Sequence, residues 1–186
     1  MLDNNQSGTQ KGTKVIGVLF GRFQPFHLSH LEGIKRYSEK VDEIIILVSD
    51  FPLLKYRHSP KLLSAKENPF SYDERREMIE KALANEAGMG TDRFSVRPFL
   101  GYLLDMHRGD GDLNVYLIAD HGKLSKYLKA AFRRSGRIAK SCSNGAETGV
   151  HAAEIRSLIR DGKDWEGLVP QSTAAVVRRK AGALVH

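Results

Sequence analysis

Short apolar runs alternate along this chain with segments whose apolar residues recur at helical spacing, and this alternation constrains the fold more than any other feature. The run EIIILVS, residues 43–49, is continuous and β-branched, which is typical of a central strand buried on both faces. Further strands are predicted at residues 15–20, 94–100, 114–120 and, more weakly, 137–142. Helices are predicted from about residue 30, over 72–85, along 124–132, around 155–159 and over 172–181. The order predicts an α/β fold, a single doubly wound Rossmann-like domain with a central parallel sheet of about five strands.

Composition places this domain among ordinary globular proteins. The chain has 186 residues and a single cysteine, Cys142, so an internal disulfide is excluded and a reducing, cytoplasmic location is expected. Residues 1–13 are polar and are predicted to be a flexible N-terminal arm, with residues 14–186 forming the domain. No apolar stretch approaches the roughly 18 residues of a membrane helix, so no membrane partner is expected.

The positive charge of the chain is concentrated in one segment. The net charge is +7, and no Asp or Glu occurs between His121 and Ala146. That segment carries seven cations: Lys123, Lys126, Lys129, Arg133, Arg134, Arg137 and Lys140. Such a patch can attract phosphates or nucleic acid. An apolar stripe lies opposite the cations and no RNA-binding signature accompanies them, so a solvated helix face is favoured and a nucleic-acid partner is not expected.

The loop after the first predicted strand reads GRFQPFHLSH, residues 21–30. Parallel sheets bind ligands at the carboxyl ends of their strands, so this loop lies where a ligand is expected. Gly21 permits close approach of the backbone, and Arg22 can bind a phosphate with its planar guanidinium. His27 and His30 fall near a helix start, where free backbone N–H groups favour anions.

Helix capping offers a second interpretation of the same residues. Ser29 followed by Glu32 matches a capping box, which predicts His30 at the first helical position. Spacing alone therefore leaves two interpretations open: the histidines either belong to a capped helix start or bind phosphate. A metal site is disfavoured because no further ligands stand nearby, and a P-loop is excluded because its motif is missing.

Three blocks in this order resemble the archaeal-type nicotinamide mononucleotide adenylyltransferases, members of the HxGH nucleotidyltransferase (cytidylyltransferase-like) superfamily. GRFQPFHLSH is similar to the signature GRFQPFHxGH of that family, and NPFSYDERREMI, residues 68–79, is similar to its NPFTxxER segment. EIRSLIRDGKDWEGLVPQSTAAVV, residues 154–177, resembles its C-terminal region. The likeness spans about residues 15–177.

The resemblance implies transfer of a nucleotidyl group from a nucleoside triphosphate to the phosphate of a small acceptor, with release of pyrophosphate. ATP and nicotinamide mononucleotide (NMN) are the favoured pair of substrates, and Mg²⁺ is expected to be bound by the triphosphate. A homo-oligomer is an option because the family often forms symmetric assemblies. By position, the catalytic residues would be His27, His30 and Arg156. The nucleotide-binding residues would be Gly21, Arg22, Phe23, Ser29 and His151. Arg75 would orient the acceptor or the sheet edge, or else form a surface pair on its helix. Lys55 and Arg57 would belong to a lid over the phosphates.

Two positions depart from the family pattern. Ser29 replaces the glycine of HxGH, and the last motif, roughly S-x-T-x-[IV]-R, here reads HAAEIR, with His151 at the serine and Ala153 at the threonine. A second hypothesis is therefore a cytidylyltransferase that uses CTP on another phosphate or phosphonate acceptor. A third is a catalytically degenerate nucleotide-binding regulator.

Overall fold

The protein is described from a computed structural model, which covers residues 13–49, 65–108, 114–120, 123–142 and 151–183. The five strands are β1 (Val15–Gly21), β2 (Glu43–Val48), β3 (Phe94–Pro98), β4 (Val115–Ala119) and β5 (Ile138–Cys142). The six α-helices are α1 (Leu28–Ser38), α2 (Tyr72–Lys81), α3 (Phe99–Arg108), α4 (Lys123–Arg134), α5 (Ala152–Arg160) and α6 (Gln171–Ala183). The predicted arm, residues 1–13, falls outside the described residues except for Thr13.

All five strands pair in parallel, in the order β3-β2-β1-β4-β5. The order reverses at β1, since Val18 pairs with Ile45 of β2 on one side and with Ile118 of β4 on the other. Such a reversal opens a crevice at the carboxyl end of the first strand, where Gly21 leads into the loop singled out above. The predicted α/β fold is confirmed.

Helices cover both faces of the sheet. One core cluster joins the sheet to α1, α2 and α6, with Ile34, Met78 and Val176 among its buried members. The second joins it to α3 and α4 through residues such as Met106 and Phe132. Gly17 permits the close contact of β1 with α1, because a Cβ at this position would lie 2.5 Å from Cε1 of Tyr37.

The capping box predicted at Ser29 is wrong. The N-cap of α1 is His27, so that Leu28, Ser29 and His30 are the first three helical residues. The Nδ1 of His30 accepts a hydrogen bond from the His27 backbone N–H at 3.3 Å, which is the role assigned to Glu32 in the prediction. Glu32 is exposed and instead pairs with Lys35 at 3.2 Å.

Two further elements differ from their predictions. The strand predicted over residues 94–100 ends at Pro98, and α3, which was not predicted, begins at the next residue. Phe99, Tyr102, Leu103 and Met106 form an apolar stripe at helical spacing that packs on the second core cluster. The helix predicted over 72–85 is α2, which continues as a π-helical turn over Ala82–Glu86.

The basic segment forms α4 and the edge strand β5. Three of its cations donate to groups of the protein: Lys129 to the Ser141 hydroxyl, Arg133 to the Ala139 carbonyl and Arg137 to the Met106 carbonyl. Part of this charge therefore ties α4 to its neighbours. Across the part of the chain that the structure describes, none of the helices combines the length and the apolar character needed to cross a bilayer.

Candidate functional site

The loop between β1 and α1 follows an unusual path, which neighbouring elements hold in place. Phe23 has a φ of 50°, a left-handed conformation that is uncommon for a bulky residue, and the Gln24–Pro25 peptide bond is cis. The Phe23 ring packs back over Gly21, where an added Cβ would lie 2.9 Å from the Cζ of Phe23. The glycine predicted for a nucleotide pocket therefore accommodates the loop itself.

The cleft at the carboxyl edge of the sheet has a volume of about 260 Å³. It is lined by Arg22, Phe23, Gln24, His27, His30, His151, Ala152 and Ala153. Two helix N-termini contribute to this lining, since His27 caps α1 and His151 caps α5. Among the described residues, the lining includes three imidazoles and a guanidinium but no carboxylate, and both helix ends carry partial positive charge. The cleft therefore suits a polyanion such as a chain of phosphates.

Two buried polar atoms at this cleft support that assignment. Nη1 of Arg22 and Nδ1 of His27 have no hydrogen-bond partner among the residues that the structure describes. A buried polar group without a partner is costly, and such groups are commonly satisfied by a ligand or water. Both atoms belong to residues that line the cleft.

Burial sets the protonation state of His27. Its side chain is buried, and desolvation, with a smaller contribution from His151, lowers the pKa of His27 to about 4. The imidazole is therefore neutral at pH 7.

His30 is fixed in a stack of rings. Its ring centroid lies 3.6 Å from that of His27 and 5.5 Å from that of Phe26, and both pairs are stacked. Phe23 contacts the same imidazole edge-on at 5.0 Å. Because Nδ1 of His30 accepts from the His27 backbone, Nε2 carries the proton when the ring is neutral.

The cleft brings together five of the predicted site residues: Arg22, Phe23, His27, His30 and His151. Gly21, Ser29, Arg75 and Arg156 are not among the residues that line it. Lys55 and Arg57, the predicted lid residues, lie outside the described residues.

The two arginines outside the lining are buried and donate to the loop that forms the cleft. Arg75 donates from Nη1 to the carbonyl oxygens of Arg22 at 2.8 Å and Ser49 at 2.7 Å. It therefore fastens the sheet edge to the loop, and the alternative of a surface ion pair is wrong. Arg156 donates from Nη1 to the Gln24 carbonyl at 2.6 Å, and its Nη2 pairs with the Glu67 carboxylate. Its predicted contact with a phosphate stays a prediction.

Two residues of this region were missed from the sequence. Gln24 is buried, and its side-chain amide donates to the Phe70 carbonyl at 2.8 Å and accepts from the Phe70 N–H at 2.9 Å. Glu67 supplies the carboxylate that faces Arg156. The signal in the sequence is their position, since Gln24 lies inside GRFQPFHLSH and Glu67 immediately precedes NPFSYDERREMI.

The side chains present do not form a metal centre of their own within the described ranges, where no cluster of three or more His, Cys, Asp or Glu could hold an ion. The described donors of the cleft are nitrogen groups that suit anions, whereas Mg²⁺ prefers oxygen ligands.

Comparison with curated proteins identifies relatives along most of the chain. Phosphonoformate cytidylyltransferase of Streptomyces viridochromogenes is 27% identical, covering 87% of this chain and 90% of the relative. Nicotinamide-nucleotide adenylyltransferase of Archaeoglobus fulgidus is 28% identical, again over 87% and 90%. The corresponding enzyme of Pyrococcus furiosus is 27% identical, over 89% of this chain and 84% of the relative.

Solved structures share the fold at lower identity. A bifunctional NMN adenylyltransferase/ADP ribose pyrophosphatase from Francisella tularensis matches with a TM-score of 0.57 and 21% identity, over 92% of this chain. The chain spans about half of that protein, 55% of its length. A nicotinic acid mononucleotide adenylyltransferase from Plasmodium falciparum matches with a TM-score of 0.53 and 13% identity, over 89% of this chain and 95% of that one.

The family model described as cytidylyltransferase-like matches residues 18–180, a range that contains both helix N-termini of the cleft and the loop between β1 and α1. The chain therefore belongs to the cytidylyltransferase-like family.

Proposed function

We propose that this nucleotidyltransferase is an adenylyltransferase that joins ATP to NMN and releases pyrophosphate. The observation that carries the proposal is the cleft itself, where Arg22, His27, His30 and two helix N-termini converge, with no carboxylate among the lining residues that the structure describes. Similarity to archaeal nicotinamide-nucleotide adenylyltransferases over most of the chain favours ATP and NMN as the substrate pair.

The reaction proposed is an in-line displacement at the α-phosphorus of the triphosphate. An oxygen of the acceptor phosphate forms the new bond, the bond to the β-phosphate oxygen breaks, and the electron pair leaves with pyrophosphate. The acceptor oxygen is already a nucleophile, so catalysis consists of positioning and stabilisation of the developing charge. Bound Mg²⁺ would screen the phosphate charge through the triphosphate oxygens.

Three side chains of the cleft and the amides of two helix N-termini have a part in this proposal. Nε2 of His30 would donate to a phosphate oxygen, and its stack between Phe26 and His27 holds that donor in one orientation. His27 would contribute a neutral N–H donor, and Arg22 the permanent positive charge. The amides that begin α1 and α5 would bind the remaining oxygens.

A second candidate is a cytidylyltransferase that acts on a phosphonate. The phosphonoformate cytidylyltransferase is as similar to this chain as the adenylyltransferases are. Ala153 and His151 also line the cleft at the two positions where the adenylyltransferase motif places hydroxyls. The third candidate is a regulator, in which the same cleft would bind a nucleotide without turnover.

A substrate panel separates these candidates. The protein is incubated with Mg²⁺ and each of ATP, CTP, GTP and UTP, with NMN or phosphonoformate as acceptor, and pyrophosphate is followed. Product from ATP and NMN is expected, whereas product from CTP and phosphonoformate alone would establish the second candidate. Nucleotide binding without pyrophosphate from any pair would overturn both enzymes in favour of the regulator.

A further inference from the structure

A network of polar groups adjoins the cleft at Gln24 and connects three separate segments. The loop between β1 and α1 supplies Gln24, the segment before α2 supplies Glu67 and Phe70, and α5 supplies Arg156. Gln24 and Arg156 are 2% and 3% exposed, so their partners in the network are protein groups, not bulk water.

Gln24 is held from both its side chain and its backbone. The amide exchanges two hydrogen bonds with the Phe70 backbone, at 2.8 and 2.9 Å, as a strand partner would. The carbonyl accepts from Arg156 at 2.6 Å. Since Phe23 immediately before it has a left-handed φ of 50° and His27 follows three residues later, these bonds fix the middle of the loop that presents the histidines.

Glu67 decides where the Arg156 guanidinium lies. Desolvation lowers the pKa of Arg156 and the Glu67 carboxylate opposes that shift, as expected for a buried cation beside its counter-ion. With one nitrogen on Glu67 and another on the Gln24 carbonyl, the guanidinium spans from the segment before α2 to the loop. Without the carboxylate, the Gln24 carbonyl would be the remaining partner of the guanidinium among the described residues.

We propose that Glu67 is a positioning residue: it keeps Arg156 on the Gln24 carbonyl and thereby holds the loop of His27 and Arg22 in its ligand-binding geometry. This inference rests on the proposed function for its catalytic consequence, but the geometry it describes exists without ligand. It differs from a role of Arg156 as a phosphate clamp in which kinetic parameter changes when Glu67 is removed. If Glu67 positions the loop, its removal lowers kcat; if Glu67 merely competes with phosphates for Arg156, its removal lowers KM for the triphosphate.

The test compares Glu67→Gln with a matched control, Glu77→Gln. Both carboxylates are ion-paired to an arginine, and both side chains are 27% exposed, but Glu77 pairs with Arg179 on α6. Glu67→Asp keeps the charge and serves as the conservative rescue. We expect kcat to fall about tenfold in Glu67→Gln with KM for the triphosphate within about twofold, because small misplacement of catalytic groups is costly. Glu67→Asp should recover part of the loss, and the control should match wild type.

A second readout needs no turnover. The pKa of His27 is lowered to about 4 mainly by desolvation, so a loosened loop should admit water and move its titration, followed by NMR, toward the ordinary imidazole value of about 6.5. Glu77→Gln should leave that titration unchanged. A lower KM with unchanged kcat, or a His27 titration that is the same in Glu67→Gln and wild type, would overturn the positioning role. If wild type turned over no substrate pair, the proposed function would fail, and the His27 titration would still decide the role of Glu67.

Discussion

Acidification from about pH 7.5 to about pH 5 should destabilise this protein through His27. Its pKa is lowered to about 4 in the folded chain, against about 6.5 for an ordinary imidazole, so the unfolded chain binds more protons in the interval between those values. Stability is therefore complete above about pH 6.5 and is lost as the pH falls toward 4. Integrating proton binding with these two values gives a loss of about 2 kcal/mol by pH 5 and about 3 kcal/mol by pH 4.

Urea unfolding at the two pH values measures this loss by linear extrapolation. Wild type should lose about 2 kcal/mol more than His27→Asn, because the variant cannot take up the proton. Carboxylates such as Glu77, whose pKa Arg179 and Lys81 lower to about 2, titrate below this interval and are common to both proteins. His151→Asn removes the smaller cause of the shift and should reduce the pH dependence slightly. If wild type and His27→Asn lost equal stability, His27 would not be buried and neutral as described.

Three further changes test the site and the fold. His30→Ala should lower turnover at least about tenfold while the circular dichroism spectrum stays that of wild type, and equal rates would remove His30 from catalysis. Gly17→Ala should lower the free energy of unfolding by about 1–3 kcal/mol, because its Cβ would press on Tyr37, whereas Gly167→Ala, with no described atom within 4 Å, should not. Glu86→Ala should cost about 1 kcal/mol, since this carboxylate accepts from the Gln171 and Ser172 N–H groups that begin α6; unchanged urea midpoints would contradict that cap.

The sheet could be predicted from sequence because its strands carry strong local signals. Residues 43–49 contain five consecutive apolar residues, four of them β-branched, and β2 occupies all but the last of that range. The missed helix α3 begins directly after β3, so Phe99 and Leu100 extend the apolar pattern of the strand and obscure the boundary. Helical spacing becomes visible only when Phe99 is counted with Tyr102, Leu103 and Met106.

The start of α1 shows why a capping motif misled. Ser29 and Glu32 have the residue types and spacing of a capping box, but His27 and His30 have the same spacing and supply the N-cap and the third helical residue. Imidazole nitrogens are seldom considered as caps, although Nδ1 of His30 is an acceptor like a carboxylate oxygen. The consequence bears on the site, since the hydrogen bond that starts the helix also sets which nitrogen of His30 carries the proton in the neutral ring.

The carbonyl partners of Arg75 and Arg156 could not be predicted from sequence, because backbone groups carry no residue type. Residue types and spacing indicate charge pairs and phosphate-binding patterns. They do not indicate that the carbonyls of Arg22, Ser49 and Gln24 accept hydrogen bonds, because every residue has a carbonyl. Both arginines were placed near the site from motif position, and the structure places them beneath it, on the loop that carries the histidines. A charged side chain in a motif near a phosphate cleft can therefore stabilise the loop that forms the cleft. For Arg156 the distinction depends on Glu67, because a guanidinium whose Nη2 pairs with a carboxylate and whose Nη1 donates to a carbonyl has fewer donors left for a phosphate.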